Sequence, residues 1–377
     1  MKITLLGPAY PYRGGISAFN NRLAQELMAE GHQVKLETFI LQYPDFLFPG
    51  KSQFSEDPAP EGLNIVRTIN SVNPLNWLKV GHRIKKEKPD ILIVRYWMPF
   101  MAPVLGKISR IVKGNNTTKV IAIVDNFIPH EKRMGDKILS KYFTKSVDAF
   151  IAMSEAVLND IRTVDSSKIK RFTPHPIYDI YGQLLDRNTA LDKLKLSANN
   201  RYILFFGLIR DYKGLDLLLD AMKSKEIQSQ NIKLIVAGEF YSNEEKYMAQ
   251  FRKNKLEDSV IFVSRFIPDQ DVNLYFSVAD LIVQPYKTAT QSGVTQIAYH
   301  FNKPMLVTKV GGLPEIVPHN KCGYVVDTSA DEISASILDF YDNNKADIFA
   351  PYIAKEKEKY EWNKITATIF SIFNALK

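Results

Sequence analysis

Short apolar runs and amphipathic helical stretches alternate along this chain from its first residues. Lys2 to Leu6 is an apolar run that we interpret as a strand, and Ile16 to Glu30 carries apolar residues at helical spacing before Gly31. The pattern predicts further strands and helices, in order Val34 to Ile40, Ile91 to Tyr96, Val120 to Val124, a helix near Asp136 to Lys145, Ala149 to Met153 and a helix from Ser154. Parallel strands need a crossover between them, so this order predicts an α/β fold with parallel sheets covered on both faces.

The alternation lapses once and then resumes, which predicts two domains. Residues 176–200 hold few apolar runs and form the predicted linker. Strands return at Tyr202 to Phe206, Lys233 to Ala237, Val260 to Val263 and Leu281 to Val283, with helices at Leu215 to Met222, Glu244 to Lys253 and Asp269 to Val278. We predict two doubly wound Rossmann-like domains, residues 1–175 and 201–359, facing each other across a ligand cleft. A closing amphipathic helix within 360–377 is expected to pack back on the first.

The stretch Gln284 to Val317 carries two glycine-bearing turns, each where a strand ends and a helix begins. A helix is predicted from Ser292, a good N-cap residue, and the strand Met305 to Val310 leads to Gly311 and Gly312. In an open α/β sheet this edge is where ligands bind, because helix N-termini offer unpaired N–H groups to an anion. Ordinary tight turns have the same pattern, so other loops must decide between the two interpretations.

The composition is that of an average globular protein, and its basic balance suits an anionic partner. The chain has 377 residues, 45% hydrophobic and 24% charged, with a formal charge of +8 and one cysteine, Cys322. No run approaches the roughly 18 apolar residues of a membrane span, and the start lacks the features of a signal peptide, so we expect a cytoplasmic protein. The chain has no Lys/Arg block with interleaved aromatic residues, which is the pattern that indicates nucleic-acid binding. We therefore expect no nucleic-acid partner.

The stretch Asn76 to Lys88 predicts an amphipathic helix with a basic side. Trp77, Val80 and Ile84 fall along one side of the helix, with most of the cations elsewhere. Such a helix could lie in a membrane interface, which would place the protein peripherally on the inner face of a membrane. A helix that covers a sheet has the same pattern, and both interpretations stay open.

The second half opens with FFGLIRDYKGLDLLLDAM. A strand ends at Gly207, and Arg210 and Lys213 occupy the short loop before a helix that follows Gly214. Cations at a helix N-terminus oppose the helix dipole, which costs about 0.3 to 1 kcal/mol each. An anion bound between them would remove this conflict, since Arg offers a fork of donors and Lys a point charge.

Two loops of the first half carry further candidate groups. Gly14 and Gly15, with Arg13 beside them, precede a helix in a turn able to hold a phosphate or to let a sugar approach the backbone. The turn is not GxGxxG, which argues against a dinucleotide site. After the strand at 120–124, the loop presents groups suited to proton transfer or to sugar hydroxyls, namely Asp125, Asn126, His130 and Glu131.

In their order along the chain, these stretches resemble the retaining GT-B glycosyltransferases of family 4. The resemblance rests on the GG loop after the first strand, FGLIRDYKGLDLLLDA, AGEFY after the next strand, and the SGV and VGGLPE stretches. It covers nearly the whole chain, and the KG before LDLLLDA and the GG before LPEIV are its most specific pieces. It implies a hexosyltransferase-type enzyme with a nucleotide sugar on the C-terminal half and the acceptor on the N-terminal half.

The resemblance also implies roles for individual residues. Arg210 and Lys213 match the basic pair that holds the donor diphosphate, although Leu208 stands where many members carry the arginine. The other implied residues are Gly14, Gly15, Glu239, Ser292, Gly293, Val294 and Gln296 for the donor, Arg13, Asn126 and Glu131 for the acceptor, and His130, Asp125 and Gln291 for catalysis. No cofactor and no metal site are expected.

One part of the family pattern is missing. Members usually carry two glutamates, separated by seven residues, within the stretch that corresponds to Gln284 to Val317. Neither alignment register supplies a carboxylate here, since the matching residues are Ala289 and Ile297 or Thr290 and Ala298. Gln291 and Gln296 are the nearest polar residues, and a ribose hydroxyl can accept an amide partner in place of a carboxylate.

The expected activity is transfer of a sugar from a nucleoside-diphosphate sugar to a glycan or lipid-linked acceptor, in cell-surface polysaccharide or glycoconjugate assembly. Arg210, Lys213 and helix amides would stabilise the charge that develops on the leaving diphosphate, so we expect no metal requirement. Retention of configuration follows from the resemblance alone. The missing carboxylates keep two alternatives open, a non-catalytic nucleotide-sugar or carbohydrate binding protein and a nucleotide-sugar epimerase of the same fold.

Overall fold

The protein folds into two compact units. The computed structural model describes residues 1–44, 53–55, 58–127, 135–177, 179–241, 243–289 and 292–377. The first unit is formed by Met1–His175 together with Trp362–Lys377, and the second by Pro176–Glu361. Each unit has its own parallel sheet and its own apolar core.

A seven-stranded sheet forms the centre of the first unit. Its strands are β1 (Lys2–Leu6), β2 (Gln33–Leu41), β3 (Ile65–Asn70), β4 (Ile91–Tyr96), β5 (Lys119–Val124), β6 (Ala149–Ala152) and β7 (Ile169–Phe172). All neighbours are parallel, in the order β3-β2-β1-β4-β5-β6-β7. The direction in which successive strands are added therefore reverses between β1 and β4.

Helices cover both faces of this sheet. Those that follow its strands are α1 (Gly15–Ala29), α2 (Pro74–Glu87), α3 (Ala102–Lys113), α4 (Asp136–Thr144) and α5 (Glu155–Val164). Successive side chains of a strand point to opposite faces. Leu92 and Val94 of β4 therefore join the core under α2, α3, α4 and α5, while Ile91 and Ile93 join the core under α1.

Helix α2 shows how the local sequence sets a helix in place. The side chain of Asn73 caps its first turn by accepting the N–H of Leu75 at 3.0 Å. Ile84 is fully buried, and Gly81 is the point of close approach to α3, since a Cβ built there would lie 2.9 Å from Ile111 Cδ1. The apolar side of α2 therefore packs against the sheet, as the second of the two interpretations of its sequence predicts.

A six-stranded parallel sheet forms the centre of the second unit. Its strands are β8 (Arg201–Phe206), β9 (Ile232–Ala237), β10 (Val260–Val263), β11 (Leu281–Gln284), β12 (Met305–Thr308) and β13 (Gly323–Val326). Their order is β10-β9-β8-β11-β12-β13, so the strand order reverses between β8 and β11. With two doubly wound parallel sheets, the predicted fold class is confirmed.

Nine helices of the second unit lie within the described residues, around a single core. They are α6 (Arg187–Leu194), α7 (Leu215–Ala221), α8 (Lys225–Ser229), α9 (Glu244–Lys253), α10 (Asp269–Val278), α11 (Gly293–His300), α12 (Leu313–Ile316), α13 (Ala330–Asp342) and α14 (Lys345–Lys357). Helix α6 falls inside residues 176–200, the predicted linker, and its Ala190 and Leu191 are buried in the core of this unit.

The helix α15 (Trp362–Ala375) follows the whole second unit in sequence but belongs to the first. Its buried residues Ile365, Ile369 and Phe373 recur at helical spacing and join the core under α1. The Trp362 ring lies 5.0 Å from the Phe19 ring of α1, centroid to centroid. None of the helices in the described parts of the chain is long and apolar enough to cross a membrane.

Candidate active site

The reversal of strand order in the second unit defines the edge where its loops open a crevice. In doubly wound sheets, ligands bind outside the carboxyl ends of the strands at this switch point, because the helices that follow the two strands turn away to opposite faces. The two loops that leave the switch point here are 207–214 after β8 and 285–292 after β11. Arg210, Lys213 and Ser292, singled out from the sequence, lie in these two loops.

Glycine lets these two loops pack directly on each other. Gly214 has a φ of +69°, and a Cβ built on it would lie 1.9 Å from the carbonyl oxygen of Pro285. The loop after β12 joins them, since a Cβ on Gly311 would lie 1.4 Å from the carbonyl oxygen of Ala289. The turns at Ser292 and at Gly311 and Gly312 are therefore neighbouring walls of one edge.

Lys213 is buried at the centre of this edge. Lys213 is the last residue of a short 3-10 turn, Asp211–Lys213, and it is only 8% exposed. Its Nζ lies 5.6 Å from the centroid of the Tyr286 ring and 3.3 Å from the position of a Cβ built on Gly207. It forms no ion pair with any residue in the described ranges.

The environment of Lys213 favours an anion. Burial, and then repulsion from Arg210, lowers the pKa of the Lys213 ammonium from 10.5 to about 8. A buried charge without a partner is unfavourable, so a bound anion would supply the missing interaction. The site is therefore built to receive negative charge.

Arg210 and Glu239 are exposed residues of the same edge. The Arg210 guanidinium carbon lies 5.3 Å from the centroid of the Tyr241 ring. The loop after β9 is tied to the loop after β8 through the backbone, because Ile209 N–H donates to the Glu239 carbonyl at 2.8 Å and Tyr241 N–H donates to the Ile209 carbonyl at 2.9 Å. The structure thus brings three of the predicted donor residues, Arg210, Lys213 and Glu239, to one edge.

Ser292 acts first as the cap of α11. Its Oγ accepts the Val294 N–H at 3.2 Å and forms a hydrogen bond of 3.1 Å with the Tyr286 hydroxyl. Of the three residues predicted to offer backbone amides, Val294 therefore already uses its N–H within the cap. Gly293 is exposed at the start of the helix, where an amide can face a ligand.

Two buried glutamines flank the same edge with unpaired amide atoms. Gln296 of α11 is 4% exposed and its Oε1 has no hydrogen-bond partner among the described residues. Gln284, the last residue of β11, is 1% exposed, and both amide atoms lack a partner there. Unpaired buried amides are unfavourable, so these groups favour a polar ligand or water nearby. Gln291 lies outside the described residues.

The first unit has a polar cluster at its own switch point. Arg95 of β4 is 2% exposed and binds Asp125 through both carboxylate oxygens, with Nε donating to Oδ2 at 2.6 Å. The guanidinium carbon lies 3.8 Å from the centroid of the Phe19 ring, and a Cβ built on Gly7 would lie 2.8 Å from Arg95 Cβ. Asp125 is therefore held in one orientation by a residue that the sequence analysis did not single out.

This cluster also contains buried polar atoms without partners. They are Ser17 Oγ, Asn20 Oδ1 and Arg95 Nη1, considered among the described residues. Asn20 is fixed by its other amide atom, since Nδ2 donates to the Pro8 carbonyl at 2.7 Å. The Arg95–Asp125 pair has no net charge, so these donor and acceptor groups suit neutral hydroxyls.

The remaining predicted residues of the first unit lie nearer the surface or outside the described ranges. Arg13, Gly14, Gly15 and Asn126 are exposed, and Gly14 begins α1 with a φ of +108°. His130 and Glu131 lie outside the described residues. In the described parts of the chain, no three His, Cys, Asp or Glu side chains are arranged to hold a metal ion. Asp269 and Asp271 lie two residues apart in the first turn of α10, where their carboxylates interact favourably with the helix dipole.

The two-sheet fold is shared with solved structures of other proteins. The Anabaena protein HepE in complex with UDP-glucose superposes on this chain with a TM-score of 0.68 at 15% identity, covering 100% of both chains. The fold is that of the GT-B class of glycosyltransferases.

Family models cover both units. The model described as Glycosyltransferase Family 4 matches residues 13–172, and the model described as Glycosyl transferases group 1 matches residues 186–356. The chain belongs to the group 1 and family 4 glycosyltransferases of the GT-B class. It is an enzyme that uses a nucleotide-sugar donor, so the predicted enzyme class is confirmed over the binding protein and the epimerase.

Two curated relatives show how broad the similarity is. An uncharacterized glycosyltransferase of Methanocaldococcus jannaschii is 23% identical over 407 residues, which cover 99% of this chain and 98% of that protein. The lipopolysaccharide 1,2-N-acetylglucosaminetransferase of Salmonella typhimurium is 28% identical over 186 residues, 46% of this chain and 48% of that protein.

Proposed function

We propose that the enzyme transfers a hexose, with retention of configuration and without a metal ion, from a nucleoside-diphosphate sugar to a glycan or lipid-linked acceptor. Cell-surface polysaccharide or glycoconjugate assembly is the process in which we place it. The observation that carries the proposal is Lys213, a buried ammonium without an anionic partner in the described chain, with Arg210 beside it. A diphosphate supplies the negative charge that this pair lacks.

The proposed role of Lys213 is to stabilise the negative charge that develops in the transition state. As the bond between the anomeric carbon and the diphosphate breaks, negative charge develops on the leaving phosphate oxygen. Lys213, Arg210 and the exposed N-terminus of α11 stabilise that charge, and burial of Lys213 strengthens the interaction. The acceptor oxygen forms the new bond to the same carbon, and its proton passes to the departing diphosphate. No metal ion is needed for the charge balance of this step.

The unpaired amides give the site its neutral contacts. In our proposal, Gln296 and Gln284 hydrogen-bond hydroxyl groups of the donor, in place of the glutamates that this chain lacks. Both side chains are already buried, so little ordering is required when the donor binds. Gln291 stays a predicted contact of the transferred sugar.

The acceptor is assigned to the first unit. Asp125, held by Arg95, is proposed to orient an acceptor hydroxyl, with Asn126 and Arg13 as further contacts. His130 and Glu131 stay predictions of catalytic and acceptor-binding roles. The similarity to a lipopolysaccharide N-acetylglucosaminetransferase supports a glycan or lipid-linked acceptor. Family 4 resemblance supports retention.

A donor screen tests the proposal. Thermal shifts with UDP-, GDP-, ADP- and dTDP-hexoses, each with and without EDTA, should show one nucleotide that raises the melting temperature equally in both conditions. Lys213→Met should lose this shift. Lys303→Met is the matched control, because Lys303 is also a partly buried lysine whose pKa is lowered, but it donates to the Ala279 carbonyl before β11 begins, at the opposite edge.

Product analysis completes the test. Proton NMR of the transferred sugar should show the anomeric configuration of the donor. An inverted product would contradict retention, and loss of turnover in EDTA would contradict metal independence. Tight donor binding without transfer to any glycan or lipid-linked acceptor would contradict the proposed reaction.

A further inference from the structure

Tyr286 lies where the loops after β8 and β11 meet. It is the second residue after β11 and is only 3% exposed. Its ring faces the loop after β8, since Lys213 Nζ lies 5.6 Å from the ring centroid. Its hydroxyl reaches the start of α11, where it forms a hydrogen bond of 3.1 Å with Ser292 Oγ. One side chain therefore contacts both the buried ammonium and the residue that caps α11, the two parts of the edge that the proposed function assigns to the diphosphate.

The backbone around Tyr286 is held by bonds that do not involve its side chain. The Tyr286 carbonyl accepts the Thr308 hydroxyl of β12. The next residue, Lys287, donates its N–H to the Tyr212 carbonyl at 2.7 Å, and its Nζ pairs with Asp216 of α7 at 2.5 Å. Replacement of the Tyr286 side chain therefore leaves these links between the two loops in place.

The face of the Tyr286 ring offers the buried ammonium an attractive interaction. An aromatic face carries negative potential, and it attracts a cation most strongly where water is excluded. Lys213 has no ion pair within the described ranges, so the ring face is a favourable contact for a charge that burial disfavours. The Tyr212 ring meets the Tyr286 ring edge to face, with 6.0 Å between centroids and an interplanar angle of 85°. The ring contact favours the charged form of Lys213 and limits where its side chain can point.

The hydroxyl of Tyr286 ties the ring to the helix that follows. A phenylalanine would fill the same space in the core, so packing does not account for the oxygen. A buried hydroxyl needs a partner, and Ser292 Oγ supplies it while it also accepts the Val294 N–H of the first turn at 3.2 Å. The position of Lys213 and the start of α11 are thereby coupled through a single side chain.

We propose that Tyr286 is a positioning residue that holds Lys213 and the N-terminus of α11 in the relative arrangement that a diphosphate requires. It acts through Lys213 and Ser292 and not on the donor itself. An ammonium and a helix N-terminus bind the same anion only if both point at one place, and a displacement of about 1 Å in such an arrangement can lower rates about a hundred-fold. This inference rests on the proposed function, since it requires that an anion binds at Lys213.

The pKa of Lys213 in the donor-free protein tests the ring contact. Carbon-13 NMR of the lysine Cε signals gives this pKa, with Lys213→Met to assign the resonance. Tyr286→Leu should lower it by roughly half a pH unit to one pH unit, because the ring face no longer favours the ammonium. Tyr286→Phe keeps the ring and should keep the wild-type pKa. An unchanged or higher pKa in Tyr286→Leu, or an equal fall in both variants, would overturn the ring contact.

Diphosphate affinity tests the hydroxyl contact. The probe is whichever of UDP, GDP, ADP and dTDP binds most tightly, titrated by calorimetry below pH 8. Tyr286→Phe should weaken its binding roughly three- to ten-fold, because the bond that orients the start of α11 is lost. Ser292→Ala should weaken it at least as much. Adding Tyr286→Phe to Ser292→Ala should then have no further effect, because the shared hydrogen bond is already absent.

A matched control separates this contact from the loss of any buried tyrosine hydroxyl. Tyr202 is fully buried in the same unit, and its hydroxyl donates to the Ser197 carbonyl at 2.9 Å, at the start of β8 and so at the other edge of the sheet. Tyr202→Phe should bind the nucleotide as tightly as the wild type. Equal weakening by Tyr202→Phe and Tyr286→Phe would overturn the positioning role.

The variants distinguish failure of this inference from failure of the proposed function. If Lys213→Met binds the nucleotide as tightly as the wild type, the proposed donor site is wrong. If Lys213→Met loses binding while Tyr286→Phe and Tyr286→Leu keep it, the donor site stands and the positioning role is overturned. Additive losses for Tyr286→Phe and Ser292→Ala would also overturn that role. Tyr286→Phe removes a single oxygen, so its result decides the question even where Tyr286→Leu does not fold.

Discussion

Lys213 is the residue on which the proposed donor site depends. Its ammonium group is buried beside Arg210, and its pKa falls from 10.5 to about 8 because of that burial and of the neighbouring cation. A shift of this size corresponds to roughly 3 kcal/mol against the charged form. The empty protein thus holds an unfavourable charge that a diphosphate can neutralise.

Donor affinity should depend on pH through this one group. We expect the affinity for a nucleoside diphosphate to be highest below pH 8 and to fall as the pH rises through about 8, because only the protonated lysine attracts the phosphates. Titration calorimetry from pH 7 to 9.5 measures this. Lys213→Met should bind roughly 10 to 100 times more weakly and should not show the decline. Lys303→Met, whose lysine also has a pKa of about 8, should keep the wild-type profile.

The stability of the empty protein should change with pH in the opposite direction. Since the pKa of Lys213 is lower in the folded state, the folded protein binds fewer protons than the unfolded chain between about pH 8 and 10.5, and stability rises across that window. Lys213→Met should raise the free energy of unfolding at pH 7 by up to about 3 kcal/mol, with a smaller gain at pH 9.5. Urea titrations measure this. Lower stability of the variant at pH 7 would mean that Lys213 has an anionic partner in the empty protein.

Replacing Gln296, like replacing Lys213, should weaken donor binding without lowering the stability of the protein. Its Oε1 is buried without a partner among the described residues, so Gln296→Leu should leave the empty fold at least as stable as the wild type. The variant should bind the donor roughly ten times more weakly, because a hydroxyl contact is lost. Gln228→Leu, whose amide bonds the Met222 carbonyl outside this edge, controls for loss of a glutamine. An unchanged dissociation constant for Gln296→Leu would contradict the assigned contact.

The sequence reveals site residues only where they stand out from their local pattern. Arg210 and Lys213 can be predicted because cations at a helix start conflict with the helix dipole. Arg95 escapes prediction because it lies within ILIVRY, which has the pattern of a buried strand. Its partner Asp125 is 30 residues away in sequence, so their pairing is known only from the fold. A charged residue inside an apolar strand is the signal that would have indicated it.

At the scale of elements, the first and last residues of strands and helices with a strong periodic pattern are predicted accurately. Strands β1, β4 and β10 and helices α9 and α10 begin and end where the sequence predicts. The elements not predicted are β3, β7, β13, α3, α6, α8, α13 and α14. Strands β3 and β7 lie at the sheet edges and have no clean alternation of buried and exposed side chains. Helix α3 does have a polar side, formed by Lys107, Arg110 and Lys113, so its amphipathic pattern is a signal that could have predicted it.

The turn between β8 and α7 should tolerate no side chain at Gly214. A Cβ there would lie 1.9 Å from the Pro285 carbonyl oxygen, in addition to the left-handed backbone. Gly214→Ala should therefore cost more than the roughly 1 to 2 kcal/mol of the backbone conformation alone, and it should weaken donor binding by displacing Lys213.

Gly31→Ala is the control for this prediction. Gly31 has a φ of +85° with no atom within 4 Å of a built Cβ, so only the backbone cost applies there. Chemical denaturation of both variants gives the comparison. Equal destabilisation would mean that the contact between the two loops is absent in solution.

At the scale of the whole molecule, the first unit is assembled from two separate parts of the chain. Trp362 is 5% exposed, its ring packs on Phe19, and the Arg22 guanidinium carbon lies 5.0 Å from the ring centroid. Trp362→Ala should destabilise the first unit by about 3 to 5 kcal/mol. Hydrogen exchange should speed up in β1, β4 and β6 and stay unchanged in β11 and β12.

A substitution in the second unit supplies the comparison. Tyr352 of α14 is 48% exposed, so Tyr352→Ala should change the free energy of unfolding by no more than about 0.5 kcal/mol. Faster exchange of β11 and β12 in Trp362→Ala would show that the two units do not unfold independently.

The position of α15 also has a consequence for synthesis on the ribosome. This helix covers part of one face of the first sheet beside α1, yet it is translated only after the entire second unit. At roughly 5 to 20 residues per second, the nascent first unit exposes the apolar side chains of that face for many seconds, and chaperones can bind them during this interval. A circular permutant that places α15 ahead of β1 would let the first unit close as it emerges, and it should depend less on chaperones than the natural order.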